Sequence, residues 1–308
     1  MKPDAVIKTQ KIEAKNPFTA FLLSLVCTGL GQAYNADMAK GAAFAIMRCL
    51  AFFLIPFFSL KQEADSIIHI FIALTLICVV ISLASSIESL FYAARNRKLP
   101  LKAYNSMPGY GLFASVNLIL TGLAVAILCL FFSIDGISDK RAGPLIEPGD
   151  YVLIKRYSTR GSARGDLVLL DDGSAVRIMA VEGDSVGYAG NMFSINGRDL
   201  PLGFLPDDLI QTFTPDRGDI VSETNGGKKY PVRFKRSTAI SLQNLASPVA
   251  RGYMLVAADQ RLEKNFARII PAGGIRGRIE GILFSSNMRK IGMDFCADLR
   301  RSKKKAGN

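Results

Sequence analysis

Histidine is almost absent from this chain of 308 residues: His69 is the only one, and it lies inside an apolar run. That count excludes a histidine-based nucleophile system in the polar half of the chain. Cysteine is scarce as well. Cys27, Cys49, Cys78 and Cys129 fall in apolar segments and read as small hydrophobes. Cys296 stands alone in the C-terminal half, so no disulfide can form within that half. No zinc-like spacing of ligands occurs, and neither metal nor cofactor is expected. No small-residue cleavage site follows the first apolar stretch, which therefore does not read as a removable signal peptide.

What is abundant is apolar sequence. Hydrophobic residues make up 49% of the chain, and mean hydropathy is +0.24, high for a soluble protein of this length. The excess lies in the first 134 residues. Gly111–Ile134 has 24 residues without a charge, enough to span a bilayer core. Ile67–Ile87 is a second uncharged stretch, and Gly41–Leu60 a third that contains only Arg48. Pro17–Tyr34 is shorter and interrupted by Gly29-Leu30-Gly31-Gln32, so it spans or dips and returns. Its Gly-Leu-Gly-Gln-x-Tyr-Asn pattern, closing at Gly41, is similar to small two-helix membrane modules.

Lys and Arg positions set orientation. Lys2, Lys8, Lys11 and Lys15 crowd the N-terminal arm, and Arg95, Arg97, Lys98 and Lys102 crowd the loop before the last segment. Both clusters belong on the cytoplasmic side if Pro17–Tyr34 does not cross, and residues 135–308 are then delivered to the outer face. Arg48 and Glu88 are charges inside apolar segments. Placed in a helical hairpin at similar depth, they are a candidate pair, since pairing lowers the cost of burying either; snorkelling of Arg48 is the alternative.

The formal net charge is +12. Residues 138–308 carry +8 of it, from 27 basic against 19 acidic side chains. A basic domain beside anionic lipid is attracted to the membrane surface. Nucleic acid is not an expected partner, because the basic residues lack aromatic interleaving.

Beyond Asp135 the pattern changes to short β-rich runs: Tyr151–Arg156, Asp166–Leu170, Ala175–Glu182, Met192–Ile195, Val232–Lys235, Tyr253–Ala257 and Ile275–Leu283. Residues 1–137 thus read as a membrane domain of three to four apolar helical segments. Residues 138–308 read as a mainly β domain, a coiled antiparallel sheet or partial barrel, with an irregular insert at about 199–252 and a basic tail at 300–308. The strand at Tyr151–Arg156 is expected beside Ala175–Glu182 or Asp166–Leu170. Asp150 and Asp166 read most simply as turn residues.

Six short motifs occur in order along this half. Pro144 precedes an apolar run and Gly149-Asp150; Arg164-Gly165-Asp166 opens a strand; Val176-Arg177 precedes Gly183-Asp184. Ser194-Ile195-Asn196-Gly197 forms a turn signal; Ala258-Asp259-Gln260-Arg261 is followed by Arg268, and Ile275–Arg278 ends the series. Together they resemble type I signal peptidases (leader peptidases), serine–lysine enzymes of the bacterial inner membrane. The resemblance covers about residues 138–285. It implies that Asp259, Arg261 and Arg268 brace the strands, and that Pro144, Asp150 and Arg177 keep family positions. It also implies a serine three residues before Pro144 and a lysine just before Arg177. Those positions hold Arg141 and Val176. Within the fifth motif, Lys264 and Phe266 replace the family's serine and aspartate.

A serine–lysine peptidase needs a hydroxyl and an amine kept neutral by burial. A guanidinium stays protonated at physiological pH and a valine carries no proton to move. The expectation is a membrane-anchored, signal-peptidase-like protein without peptidase activity, binding exported precursor peptides or another membrane protein. One alternative is an active serine endopeptidase with a different nucleophile, Ser138 being the nearest upstream hydroxyl. Another is a scaffold for membrane assembly.

Overall fold

The computed structural model describes residues 12–61, 67–96, 98–156, 163–205, 219–234, 248–262 and 265–293. Lys264, Cys296, the tail and the arm before Ile12 lie outside them. The chain divides into two compact units, Met1–Lys61 with Ile70–Cys129, and Gln62–His69 with Leu130–Asn308.

The first unit is helical: α1 (Pro17–Val26), α2 (Leu30–Tyr34), α3 (Met38–Lys61), α4 (Ile67–Arg95) and α5 (Met107–Phe131). Asn16 caps α1 by accepting the amides of Phe18 and Thr19, with Pro17 in the first turn. Ile68–Arg95 and Met107–Phe131 are long and apolar enough to cross a membrane. The ten residues of α1 reach only about 15 Å, half a bilayer core. Its hydrogen bonds describe a dip and return along α4. Ser89 Oγ donates to the Ala20 carbonyl, Thr28 meets Ser82, and Asn35 Nδ2 donates back to the Ser89 carbonyl. Only glycine permits this packing: a Cβ on Gly29 would stand 2.1 Å from the Gly41 carbonyl oxygen, and one on Gly31 2.1 Å from that of Ala20. Two short strands, β1 (Ile12–Ala14) and β2 (Lys98–Pro100), pair antiparallel. They bring the chain just before α1 beside the basic stretch that follows α4.

Arg48 and Glu88, the candidate pair, take other partners. α3 and α4 are in a register that sets Lys40 against Glu88, Nζ to Oε1 2.7 Å, and the Arg48 carbonyl near Cys78. Glu88 is ten residues from Cys78, about 15 Å along the helix. Gln32 Nε2 also donates to Glu88. Arg48 instead donates to Thr28 Oγ1, Asn117 Oδ1 and Thr121 Oγ1 at 2.9, 2.7 and 2.7 Å. Its partners are neutral oxygens of the dipping turn and α5.

The second unit is mainly β. Its strands are β3 (Phe132–Gly136), β4 (Tyr151–Arg156), β5 (Leu167–Leu170), β6 (Ala175–Ala180), β7 (Val186–Ala189), β8 (Met192–Ile195) and β9 (Arg198–Asp199). There follow β10 (Leu202–Gly203), β11 (Asp219–Asn225), β12 (Lys228–Phe234), β13 (Tyr253–Ala257), β14 (Gln260–Arg261), β15 (Ala267–Pro271) and β16 (Ile275–Phe284). Seven form one sheet, in the order β15-β13-β6-β5-β16-β4-β3. β4 therefore lies between β16 and β3, not beside β5 or β6 as expected. β16 is ten residues long and bulged, and it reaches both β5 and β4. The strand immediately after α5 takes the outer edge.

The insert also departs from expectation. Its described part is regular: β11 and β12 form a hairpin across Gly226-Gly227, flanked by β10 and by β14 in parallel. Asn225-Gly226-Gly227 is a two-residue hairpin signal that the irregular reading passed over. Residues 206–218 and 235–247 lie outside the described residues. The core of the main sheet includes Ile146, Val152, Ile154 and Ile282, each fully covered. Burying a side chain of this size contributes about 1.5–3 kcal/mol.

Candidate functional site

The loop between β3 and β4 is pinned at both ends. Ile137 N donates to the Asp150 carbonyl and Gly149 N to the Ile137 carbonyl, each at 2.8 Å. Gly149 takes φ +95°, open to glycine, and the Asp150 carboxylate accepts the Glu147 amide at 2.9 Å. Asp150 is a turn residue, as its sequence context implied. Pro144, Leu145 and Ile146 are buried and anchor the loop from below.

Arg141 sits in a single helical turn, Lys140–Ala142, capped by Asp139. The Asp139 carboxylate accepts both the Arg141 amide at 2.9 Å and its Nε at 3.1 Å. Val176 lies on β6, buried in a cluster with Val168, Ile178 and Val256. Arg141 and Val176 line one cavity of about 270 Å³ together with Asp139, Ser174, Ala258, Asn265, Phe266 and Arg268. The two positions that the resemblance assigns to nucleophile and base are thus neighbours across one pocket. Among the described residues lining it there is no lysine, and its one hydroxyl is that of Ser174. Ser138 is exposed and does not line it.

Ser174 was not singled out in the sequence, where it is one hydroxyl in a turn. Arg268 Nη2 donates to its Oγ at 3.4 Å and to Asp172 Oδ2 at 2.5 Å. Burial alone would raise the Asp172 carboxyl, but the Ser174 amide and the Arg268 guanidinium outweigh it and hold it down to about 2. The β6–β13 ladder stops at Arg177 with Ala257, after which Ala258 N turns to the Phe266 carbonyl at 2.7 Å. The edge of β6 at Ala175 and Val176 borders the cavity beyond that point.

Behind the cavity lies a buried charge lattice. Arg177 donates to both carboxylate oxygens of Asp259, at 2.8 and 2.6 Å, and to the Gly165 carbonyl at 2.8 Å. Both partners are 1% exposed. Arg261 donates to both oxygens of Glu223, at 2.8 and 2.7 Å, and this pair is equally buried. Tyr230 joins the two: its ring lies 3.7 Å below the Arg177 guanidinium and its hydroxyl donates to Glu223 Oε1 at 2.8 Å. Burial opposes ionisation of Glu223, but Arg261 and the Tyr230 hydroxyl overcome it and lower its pKa. Asp166, at the Arg164-Gly165-Asp166 turn, accepts the Ala163 amide and pairs with Lys228 of β12. The sequence reading missed Glu223 and Tyr230, both in the insert. Phe266 is buried in an aromatic group with Tyr188 and Phe193, at 5.5 and 6.0 Å between ring centres.

Two apolar helices followed by a mainly β domain, with buried arginine–carboxylate pairs behind a pocket, are consistent with a signal-peptidase-like fold. The sequence profile of the family described as signal peptidase, peptidase S26, matches residues 112–283, more than half of the chain. The chain belongs to that family. The match begins within α5, earlier than the motifs alone indicated. No curated protein matches the chain.

Proposed function

We propose that this protein is a signal-peptidase-like membrane protein that binds an extended segment of an exported precursor, or of a membrane partner, without cleaving it. The observation that carries this reading is the pairing of Arg141 and Val176 on one cavity, where the family's chemistry calls for a serine and a lysine. A hydroxyl nucleophile and its base act as a unit, and neither residue present can attack a carbonyl or take a proton. Ala175 and Val176 lie beyond the last β6–β13 pair and beside the cavity, so an extended segment laid along them would place a side chain in it. Arg141, 46% exposed, repels the basic start of a signal peptide and favours an acidic segment or a lipid head group.

Membrane placement follows the same reading. α4 and α5 cross the bilayer of a bacterial inner membrane, α3 crosses as the partner of α4, and α1–α2 dip and return. The β1–β2 pairing supports this, because it sets the entry to α1 on the same side as the basic stretch after α4. The β domain then occupies the outer face.

Purified full-length protein mixed with a signal-bearing precursor should bind it and leave it intact. Ala258→Phe, which fills the cavity, should weaken that binding. Arg141→Ser or Val176→Lys alone should restore no cleavage, and the two together only a trace. Cleavage by the unaltered protein, abolished by Ser138→Ala or Ser174→Ala, would establish an active serine endopeptidase instead.

A further inference from the structure

The helical unit holds a second cavity, of about 430 Å³, in a groove between α3 and α5. Ala42, Ala45 and Ile46 form one wall; Leu112, Phe113 and Val116 form the other. At its deep end stands Asn117, whose amide is already committed. Its Oδ1 accepts from Arg48 at 2.7 Å and its Nδ2 donates to the Thr28 carbonyl at 2.8 Å. A ligand there meets hydrocarbon almost throughout.

The mouth is different. Tyr104 lines it and is fixed by two bonds: its hydroxyl donates to the Ala36 carbonyl at 2.7 Å and accepts the Met38 amide at 3.2 Å. Asn105 adds a bond to the Ala33 carbonyl at 2.8 Å. The loop after β2 is thereby held at the start of α3. It carries exposed Lys102, whose ammonium lies 5.8 Å from the Tyr104 ring centre, and exposed Lys98 precedes it on β2. The acid on the neighbouring turn, Asp37, caps Lys40 by accepting its amide and lies 3.9 Å from its ammonium. Lys102 thus stands beside a residue of the mouth, and the groove behind it is apolar.

We propose that this groove binds one acyl chain of an anionic phospholipid, with the head-group phosphate on Lys102 and Lys98. The groove follows α5 for about 16 Å, from Gly109 to Leu120, about the hydrocarbon depth of one leaflet, which suits a single acyl chain lying along it. Charge favours an anionic head group, since basic residues at the cytoplasmic ends of membrane helices attract such lipids. The inference rests on the membrane placement proposed above.

The test uses delipidated full-length protein in detergent, with phosphatidylglycerol and phosphatidylcholine of identical chains. Native mass spectrometry counts bound lipid and a melting curve reports stabilisation. One phosphatidylglycerol should bind about tenfold or more tightly than phosphatidylcholine. Ala45→Phe should abolish binding of both. Lys98→Gln with Lys102→Gln, which leaves the groove untouched and decides the matter if Ala45→Phe fails to fold, should remove most of the preference, about fivefold per lysine. Equal binding of the two lipids by the unaltered protein overturns the site but leaves the membrane placement standing. Unchanged binding by Ala45→Phe, or cross-linking of two chains through Ala45→Cys, overturns it as well. A protein that stays soluble after detergent removal overturns both.

Discussion

Asp259→Asn isolates the cost of the buried lattice. The substitution keeps the side chain's shape and one oxygen for the Arg177 Nε, but removes the charge that faces the guanidinium at 2.6 Å. Arg177 would remain charged and 1% exposed, facing a neutral amide in place of the carboxylate, with the Gly165 carbonyl and the Tyr230 ring among its contacts. Removing one partner of a buried ion pair costs about 3–5 kcal/mol. A domain stable by about 5–15 kcal/mol loses much of its margin. The control is Asp172→Asn, which breaks the pair with Arg268 where both side chains are nearly half exposed; it should cost no more than about 1 kcal/mol. A second control replaces both partners: Arg177→Met with Asp259→Leu removes the stranded charge and should be milder than Asp259→Asn alone. The chain contains no tryptophan, so urea unfolding is best followed by the β-sheet circular dichroism of full-length protein in detergent. The midpoint shift multiplied by the slope gives the free-energy change. A cost below about 1 kcal/mol for Asp259→Asn, or a double variant worse than the single one, would refute the argument that desolvated charge governs this site.

Three further outcomes follow from the same geometry. Glu223 has a depressed pKa when folded, so its contribution is complete above the ordinary carboxylate value of about 4.3 and is lost as pH falls through the folded value. The melting temperature should therefore decline on the acid side, and an equally steep decline in Glu223→Gln would count against this pair as the cause. Tyr230→Phe removes the hydroxyl from Glu223 but keeps the ring under Arg177; a loss of about 1–3 kcal/mol is expected in the same urea assay, and no loss would remove the hydroxyl from the account. In a background without native cysteines, Arg198→Cys, an exposed position, should react with an impermeant thiol reagent in intact spheroplasts. Labelling only after inner-membrane lysis would place the β domain in the cytoplasm.

The residues legible in the sequence were those whose role is local. Gly149-Asp150 announces a turn by chemistry that needs no distant partner, and β4, β8 and β13 fall where alternating β-formers stand between turn residues. The pocket was legible through motif spacing, because Arg141 and Val176 each stand at a fixed offset from a motif residue. What could not be read was pairing over distance. β4 takes β16 and β3 as neighbours because β16 is long enough to serve two strands, a property of the assembled sheet. The partners of Arg48 depend on a helix register that apolar periodicity leaves free, and the helices resolved it with Thr28, Asn117 and Thr121. Glu223 and Tyr230 sit in ordinary hairpin sequence. Only the fold reveals that they meet two arginines from elsewhere in the chain.

The β11–β12 hairpin has a mechanical consequence for the β domain. A segment that supplies a carboxylate and a ring to two guanidinium groups is bolted shut rather than hinged. Swinging it aside would strand Arg261 and bare Glu223 at a cost of several kcal/mol. At about 4 kcal/mol, fewer than about one molecule in several hundred would be open at any moment. The hairpin is therefore a fixed wall of the β domain, holding the Arg177 and Arg261 guanidinium groups in place.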